Sequence, residues 1–344
     1  MPDSKKQKSR KYSAVAAIVL VLATTAVWFA YSSIANTKYR SDSSTWVFIP
    51  QGSTPQQITD SLRATLGKAG EKAALIWNLS GTDFKSAHGA YRIENGTSAM
   101  AIYRTISRGH QSPVRLTFNN IRTLSQLGAR VGTQLETDSA SFMHAADSIL
   151  RAKGIPAAGH IGAFLPDTYE FYWTDTPEKV VTRLHAHQQA FWNTERTLKA
   201  TDLGLTPGQV ATIASIAEEE TNNAAERATV GRLYINRIHR GMPLQADPTV
   251  KFAVGDFSLR RITARHLAVE SPYNTYRVNG LPPGPIRMPE AKTIDAILNS
   301  KPHNYVFMCA KEDMSGRHNF TSSASQHMQN AARYREALNR RGIR

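Results

Sequence analysis

The stretch TPGQVATIASIAEEETNN, residues 206–223, opens on a helix start and closes on three consecutive glutamates. Thr206 suits an N-cap and Pro207 the first helical position, so the helical phase can be set from there. At about 100° per residue, Val210, Ile213, Ile216 and Ala217 share one apolar stripe. Glu220 falls near the centre of that stripe, whereas Glu218 and Glu219 point to opposite sides. A run of charges is commonly a solvated helix face, but phase makes these three inequivalent. A carboxyl at the end of an apolar stripe is costly to ionise, which raises its pKa toward what a general acid needs. The competing reading is a helix that stops at Thr221-Asn222-Asn223 and lets Glu220 emerge into water. Glu218 and Glu220 diverge on one helix, so they cannot face each other across a scissile bond as paired carboxylates do. Glu226, on the next helical stretch, is a conceivable second carboxylate; it equally suits a surface pairing with Arg227 or Arg232.

Outward from this helix the elements are mostly helical. Upstream, Trp46–Ile49 alternates as a strand, Thr54-Pro55 starts a helix, EKAALIWNLS (71–80) is a second helical segment, and Gly89–Ile93 is a second strand. This strand, helix, helix, strand order is similar to a LysM-like glycan-binding fold. A helix at 98–109 and a strand at 114–118 extend the module, read as residues 45–120. Residues 123–154 are helical with breaks near Thr137 and Gly154, Phe164–Tyr172 is extended and aromatic, and Thr176-Pro177 starts another helix. His185 and His187 lie two apart on that helix and share no face. After the 206–219 helix come a helix at 224–240, a loop-rich stretch to about 290, a helix at 291–299, a strand at 304–309 and a last helix from 323. Few strands separated by helices give an α+β class, a small module preceding a larger catalytic-looking domain at 121–340.

The chain has 344 residues and a formal charge of +15; seven basic residues against Asp3 within the first 40 supply +6, leaving +9. No helix-turn-helix, zinc-finger or RNA-binding signature accompanies that charge, so no nucleic-acid partner is expected. No charge occurs between Lys11 and Lys38, and AVAAIVLVLATTAVWFA (14–30) is almost wholly apolar. With its mild flanks this gives about 20 residues, enough for a membrane-spanning helix. We read a basic cytoplasmic tail at 1–12, an anchor at 13–34 and a polar linker at 35–44. The basic cluster precedes the span, so the N-terminus is expected inside and the working domain outside, on the inner (plasma) membrane. A cleaved signal peptide competes, since Ser33 and Ala35 suit a small-x-small site. Cys309 is the single cysteine, which excludes an intrachain disulfide framework. His318 and His327 lack paired ligand spacing, so neither a metal nor another cofactor is expected.

Six ordered blocks carry a resemblance: ASIAEEET (214–221), ERATVGRLYINR (226–237), GMPLQADPTV (241–250), PYNTY (272–276), GLPPGPI (280–286) and the HxF triplet His318-Asn319-Phe320. Together they resemble the YceG-like family of endolytic murein transglycosylases, which also has a membrane anchor and a LysM-like module. The resemblance implies cleavage of the β-1,4 bond between N-acetylmuramic acid and N-acetylglucosamine, leaving 1,6-anhydro ends and terminating strand growth. It puts the catalytic role on Glu220, acting first as acid and then as base; one carboxylate suffices because the attacking C6 hydroxyl belongs to the substrate. It makes Glu218, Glu226, Asn236, Gln245, Asp247, Asn274, Tyr276 and His318 supporting or substrate-binding candidates. Asp247-Pro248 and Asn274-Thr275 equally suit turns or caps, and Asn236 a helix-to-loop bridge. Glu219 stands where relatives commonly have a basic residue. The implied partners are peptidoglycan strands, the membrane and penicillin-binding synthases. A non-catalytic peptidoglycan-binding scaffold is the alternative function.

Overall fold

A computed structural model describes residues 3–259 and 261–342, with side chains from Tyr12 onward. The side chains of the basic tail therefore lie outside the described residues. The chain divides into two compact units, Met1–Val114 with Glu170–Thr174, and Arg115–Tyr169 with Asp175–Arg344.

The first unit begins with α1 (Asp3–Ala35), whose Tyr12–Ala35 part is a 24-residue apolar helix, exposed as far as Tyr31 and long enough to cross a membrane. β1 (Thr45–Ile49) follows, then α2 (Pro55–Ser80) and β2 (Gly89–Ile93). The strands pair antiparallel from Thr45↔Ile93 to Ile49↔Gly89, turning Val47 and Ile49 into the core. Thr54 and Gln57 form a capping box ahead of Pro55, and α2 breaks at Gly67, whose φ of +56° needs a glycine. The two helical segments expected between the strands are thus present. α3 (Ala99–Ser107), capped by Ser98, closes a core containing Leu62, Trp77, Tyr91 and Ile102. Trp77 stacks on Phe84 with ring centroids 4.2 Å apart.

Residues 35–44, expected as a polar linker, pack against the first unit. Ala35 and Tyr39 are buried. Tyr39 donates its amide to Thr97 and its hydroxyl to Thr45 (2.8 and 2.7 Å), while the Gly96 and Ala99 amides donate back to the carbonyls of Tyr39 and Thr37. Serine-rich composition reads as solvated chain, but one aromatic in its middle suffices to bind it to the core. The first compact unit ends at Val114 and includes residues 170–174, where Trp173 meets Phe48.

The second unit is mainly helical. β3 (Val114–Phe118) leads to α4 (Leu124–Gly132) and α5 (Ser139–Ala152); a 3-10 turn at Ala157–Ala163 precedes β4 (Asp167–Phe171), which pairs with β3. Phe118 stacks on Tyr169 across that pair. Then come α6 (Pro177–Phe191), α7 (Thr194–Asp202), α8 (Pro207–Glu220), α9 (Arg227–His239), α10 (Asp247–Val254), α11 (Ala264–Leu267) and α12 (Ala291–Leu298). An antiparallel hairpin of β5 (Phe307–Ala310) and β6 (His318–Thr321) precedes α13 (Ala324–Arg340). The α+β class therefore holds, with three two-stranded sheets among the described residues.

α8 is the axis of the second core, and it departs from the single apolar stripe expected of it. Every residue from Val210 to Glu218 is buried. Ala211, Ala214 and Ser215 are small enough for α9, α10 and α12 to pack on its other sides, and Gly231 of α9 lets Ile297 of α12 approach. The polar members are satisfied locally: Thr212 donates to Gly208 O, and Ser215 donates to Thr212 O while accepting the Ile286 amide. A helix packed all round must place any ionisable side chain among partners, and its three glutamates show how.

Candidate active site

Each glutamate at the end of α8 enters a different environment. Glu218 turns inward and its side chain is fully buried; Oε1 accepts the Glu290 amide at 2.8 Å, and Oε2 lies 3.1 Å from Arg287 Nε. Burial raises its pKa, outweighing the hydrogen bonds from Thr293 and Glu290 and the charge of Arg287. Glu219 turns toward Arg122 Nη2 (2.9 Å) and Arg287 Nη1 (3.0 Å), so Arg287 bridges two consecutive acids. The extra anion at 219 is thus answered by two guanidiniums.

Glu220 is the last helical residue, held where Thr221 turns extended. Part of its surface meets solvent, yet protein atoms crowd it, and crowding governs its titration. Its pKa is pushed up to about 7, first by burial and then by the negative charge of Asp247; His318, Tyr234 and Lys251 oppose the rise. Tyr234 of α9 donates its hydroxyl to Glu220 Oε2 at 3.4 Å, and burial keeps that phenol protonated. Asp247 opens α10 and accepts the Tyr276 hydroxyl at 2.7 Å. The Tyr276 phenol is also held protonated, by burial first and by Asp247 second.

This titration has a consequence for stability. Below pH 4.5, the ordinary value, Glu220 is protonated in both folded and unfolded chains and nothing is lost. As pH climbs toward 7 the unfolded chain ionises first, so the fold loses up to about 3 kcal/mol. Glu220→Gln is therefore expected to be more stable than wild type to urea at pH 8 and equal to it at pH 4. Equal stabilities at both pH values would contradict a carboxyl held neutral by its surroundings.

The remaining candidates separate into two groups. Asp247, Tyr276 and His318 surround Glu220, and Glu226 holds His318, accepting its backbone amide (3.1 Å) and pairing with Nδ1 (3.0 Å). The surface pairing of Glu226 with Arg227 or Arg232 is corrected, since Arg227 instead reaches Glu290 and Thr293. Asn236 is committed elsewhere, donating to the carbonyls of His303 (2.7 Å) and Tyr305 (3.0 Å). Asn274 is fully buried and builds its own loop, donating to Leu267 and Val269 carbonyls and accepting the Tyr276 amide. Gln245 has a left-handed backbone (φ +49°), accepts from Arg237 and donates its amide to Thr275.

Sequence reading missed Tyr234, Lys251, Arg122 and Arg287. Two of them carried a signal: Tyr234 lies inside the 226–237 block, and Lys251 follows Asp247 by four residues, on the same helical face. Among the described residues no cluster of three His, Cys, Asp or Glu side chains is arranged to hold a metal.

One large cavity is not at this chemistry. It measures about 580 Å³ and lies at the other end of α8, between Thr206–Thr212, the 3-10 turn and the 281–285 loop. Thr212 and Glu220 are about 12 Å apart along the helix axis. A side chain at Gly284 would strike the Ala158 carbonyl, so that loop is a tight wall. A smaller cleft of about 140 Å³ adjoins Glu219, lined by Arg122, Pro248, Lys251, Phe252, Phe257 and Ile286. Converging titratable groups, rather than volume, identify the candidate site.

A family model described as YceG-like family matches residues 47–333. An endolytic murein transglycosylase of Bacillus subtilis (strain 168) is 31% identical over 180 residues, covering 52% of this chain and 49% of that protein. One from Streptococcus pneumoniae serotype 2 (strain D39) is 26% identical over 327 residues, covering 84% of this chain and 58% of that protein. The chain thus spans about half to three-fifths of the length of the curated relatives it matches. A crystal structure of a yceG-like protein from Listeria monocytogenes shares the fold, with a TM-score of 0.55 at 24% identity over 84% of this chain and 99% of that one.

Proposed function

The chain belongs to the YceG-like family, and on that premise we propose that it is a membrane-anchored endolytic transglycosylase of peptidoglycan with Glu220 as its acid and base. The observation that carries this reading is the Glu220 carboxyl, poised at about pH 7 among Tyr234, Asp247 and His318. Protonated Glu220 gives its proton to the oxygen leaving C1 of N-acetylmuramic acid, and the C1–O bond breaks. Positive charge that develops at C1 is stabilised by the Asp247 carboxylate, itself fixed by Tyr276. The new Glu220 carboxylate then takes the proton of the same sugar's C6 hydroxyl, whose oxygen closes on C1. Tyr234 bonds one carboxyl oxygen throughout, leaving the other for both transfers. Glu226 orients His318 in this scheme, one carboxylate oxygen on its amide and the other on Nδ1.

Around this centre, the antiparallel strands flanking two helical segments support a LysM-like, glycan-binding role for the first unit. The apolar α1 supports a single-pass anchor, and the lysines and arginines ahead of it support a cytoplasmic N-terminus, with catalysis outside the inner membrane. Synthases that extend the strands are the partners such a location would bring within reach.

Mass spectrometry of digested murein tests the reaction. Anhydro-muramoyl ends are expected. Reducing muramoyl ends would mean a hydrolase, and intact strands a binding scaffold.

A further inference from the structure

The cleft beside Glu219 carries a positive charge that the reaction above does not use. Its two basic side chains are unlike. Arg122 is engaged, with Nη2 on Glu219 and Cζ 5.1 Å from the Phe257 ring centroid. Because Arg287 also answers Glu219, that acid has no need of a third cation. The Lys251 ammonium makes no hydrogen bond or ion pair among the described residues, its backbone carbonyl accepting the Gly255 amide within the helix end. One turn before it, Asp247 is turned to Tyr276 and is not its partner. Lys251 is half-buried, and its charge bears on Glu220. Beyond it, Phe252 and Phe257 (ring centroids 6.1 Å apart), Pro248 and Ile286 supply an apolar wall.

Size restricts the occupant. The cleft is small, about 140 Å³, and has room for a carboxylate on two or three carbons. We propose that this cleft is a carboxylate subsite, in which Lys251 pairs with an anionic carboxylate carried by the muramic residue bound at Glu220 and the phenyl rings cover its short carbon stem. This rests on the transglycosylase reading and names what that site recognises. A muramic residue offers such a group in two ways: its own lactyl carboxylate when the peptide stem is absent, or a carboxylate of the attached stem.

Lys251→Met keeps the side-chain length and removes the charge. It is compared with the wild type in the full-length protein on three strand preparations of one length: stem-bearing with free carboxylates, the same strands amidated, and stem-free strands. The wild type is expected to show a KM about tenfold lower for one carboxylate-bearing preparation than for amidated strands. Lys251→Met should raise KM about tenfold on that preparation alone, with kcat changed less than threefold, and Lys251→Arg should restore most of the difference. The preparation that responds, stem-bearing or stem-free, identifies which carboxylate is bound. Equal losses on amidated and charged strands would mean that Lys251 acts through the Glu220 titration or the fold, and would overturn the subsite. So would a wild type whose KM is the same on all three preparations, a result that needs no variant to fold. Failure of the wild type to form anhydro ends on any strand overturns the reaction itself, and the subsite with it.

Discussion

Glycan-strand cleavage by Glu220→Gln is expected to fall about a thousandfold, with anhydro products still the only ones formed at the residual rate. Glutamine fills the same space and can still accept from Tyr234, so the cleft should keep its shape. It can neither deliver a proton to a leaving oxygen nor remove one from a hydroxyl. Both halves of the reaction fail together, because one carboxyl serves both. Wild-type kcat/KM should decline on the alkaline side with a midpoint near 7, since the first step needs protonated Glu220. Single-turnover assays on strands of defined length measure both effects. A variant that retains more than a tenth of the rate would remove Glu220 from the chemistry.

Arg287→Met is expected to destabilise the second unit by about 3–5 kcal/mol at pH 7. Its guanidinium is nearly buried and lies against Glu218, fully buried, and Glu219, largely so. Methionine can fill much of the volume, but it leaves two acids on adjacent residues with less compensation, and Arg122 reaches only Glu219. Glu218 already resists ionisation, so without Arg287 it should become neutral. The loss is therefore expected to shrink at pH 4, where protonation costs nothing. Urea denaturation at both pH values measures this, and Glu218→Gln added to Arg287→Met should recover part of the loss at pH 7. A pH-independent loss would point to packing alone.

The sequence made some of this legible for identifiable reasons. Thr206-Pro207 marks the start of α8 because a cap and a first-turn proline both act within four residues. Gly89–Ile93 and Val114–Phe118 emerge at their observed bounds because alternation is a local pattern. Other elements hid behind ambiguous signals. Asp247-Pro248 suggests a turn, yet proline in a first helical turn is equally at home, and α10 begins there. α7 carries little apolar patterning to reveal it, and β6 becomes a strand only because β5 lies beside it. The same division holds at the site. Phase separated Glu220 from its neighbours, but it could not tell that Arg287 would bridge the other two. Contacts between residues 68 or 92 positions apart, such as Arg287 with Glu219 and His318 with Glu226, are set by the fold and leave no local trace. Glu218 looks expendable by phase alone, whereas its bonds make it part of the core.

Nine residues of slack chain between helix and strand would give the first unit about 30 Å of play. Tyr39, docked between Thr45 and Thr97, takes that play away. With α1 in a bilayer, the unit would behave as a fixture of the lipid plane. It would diffuse in two dimensions with a set attitude, so a polymer reaching it would have to arrive within a thin layer above the headgroups.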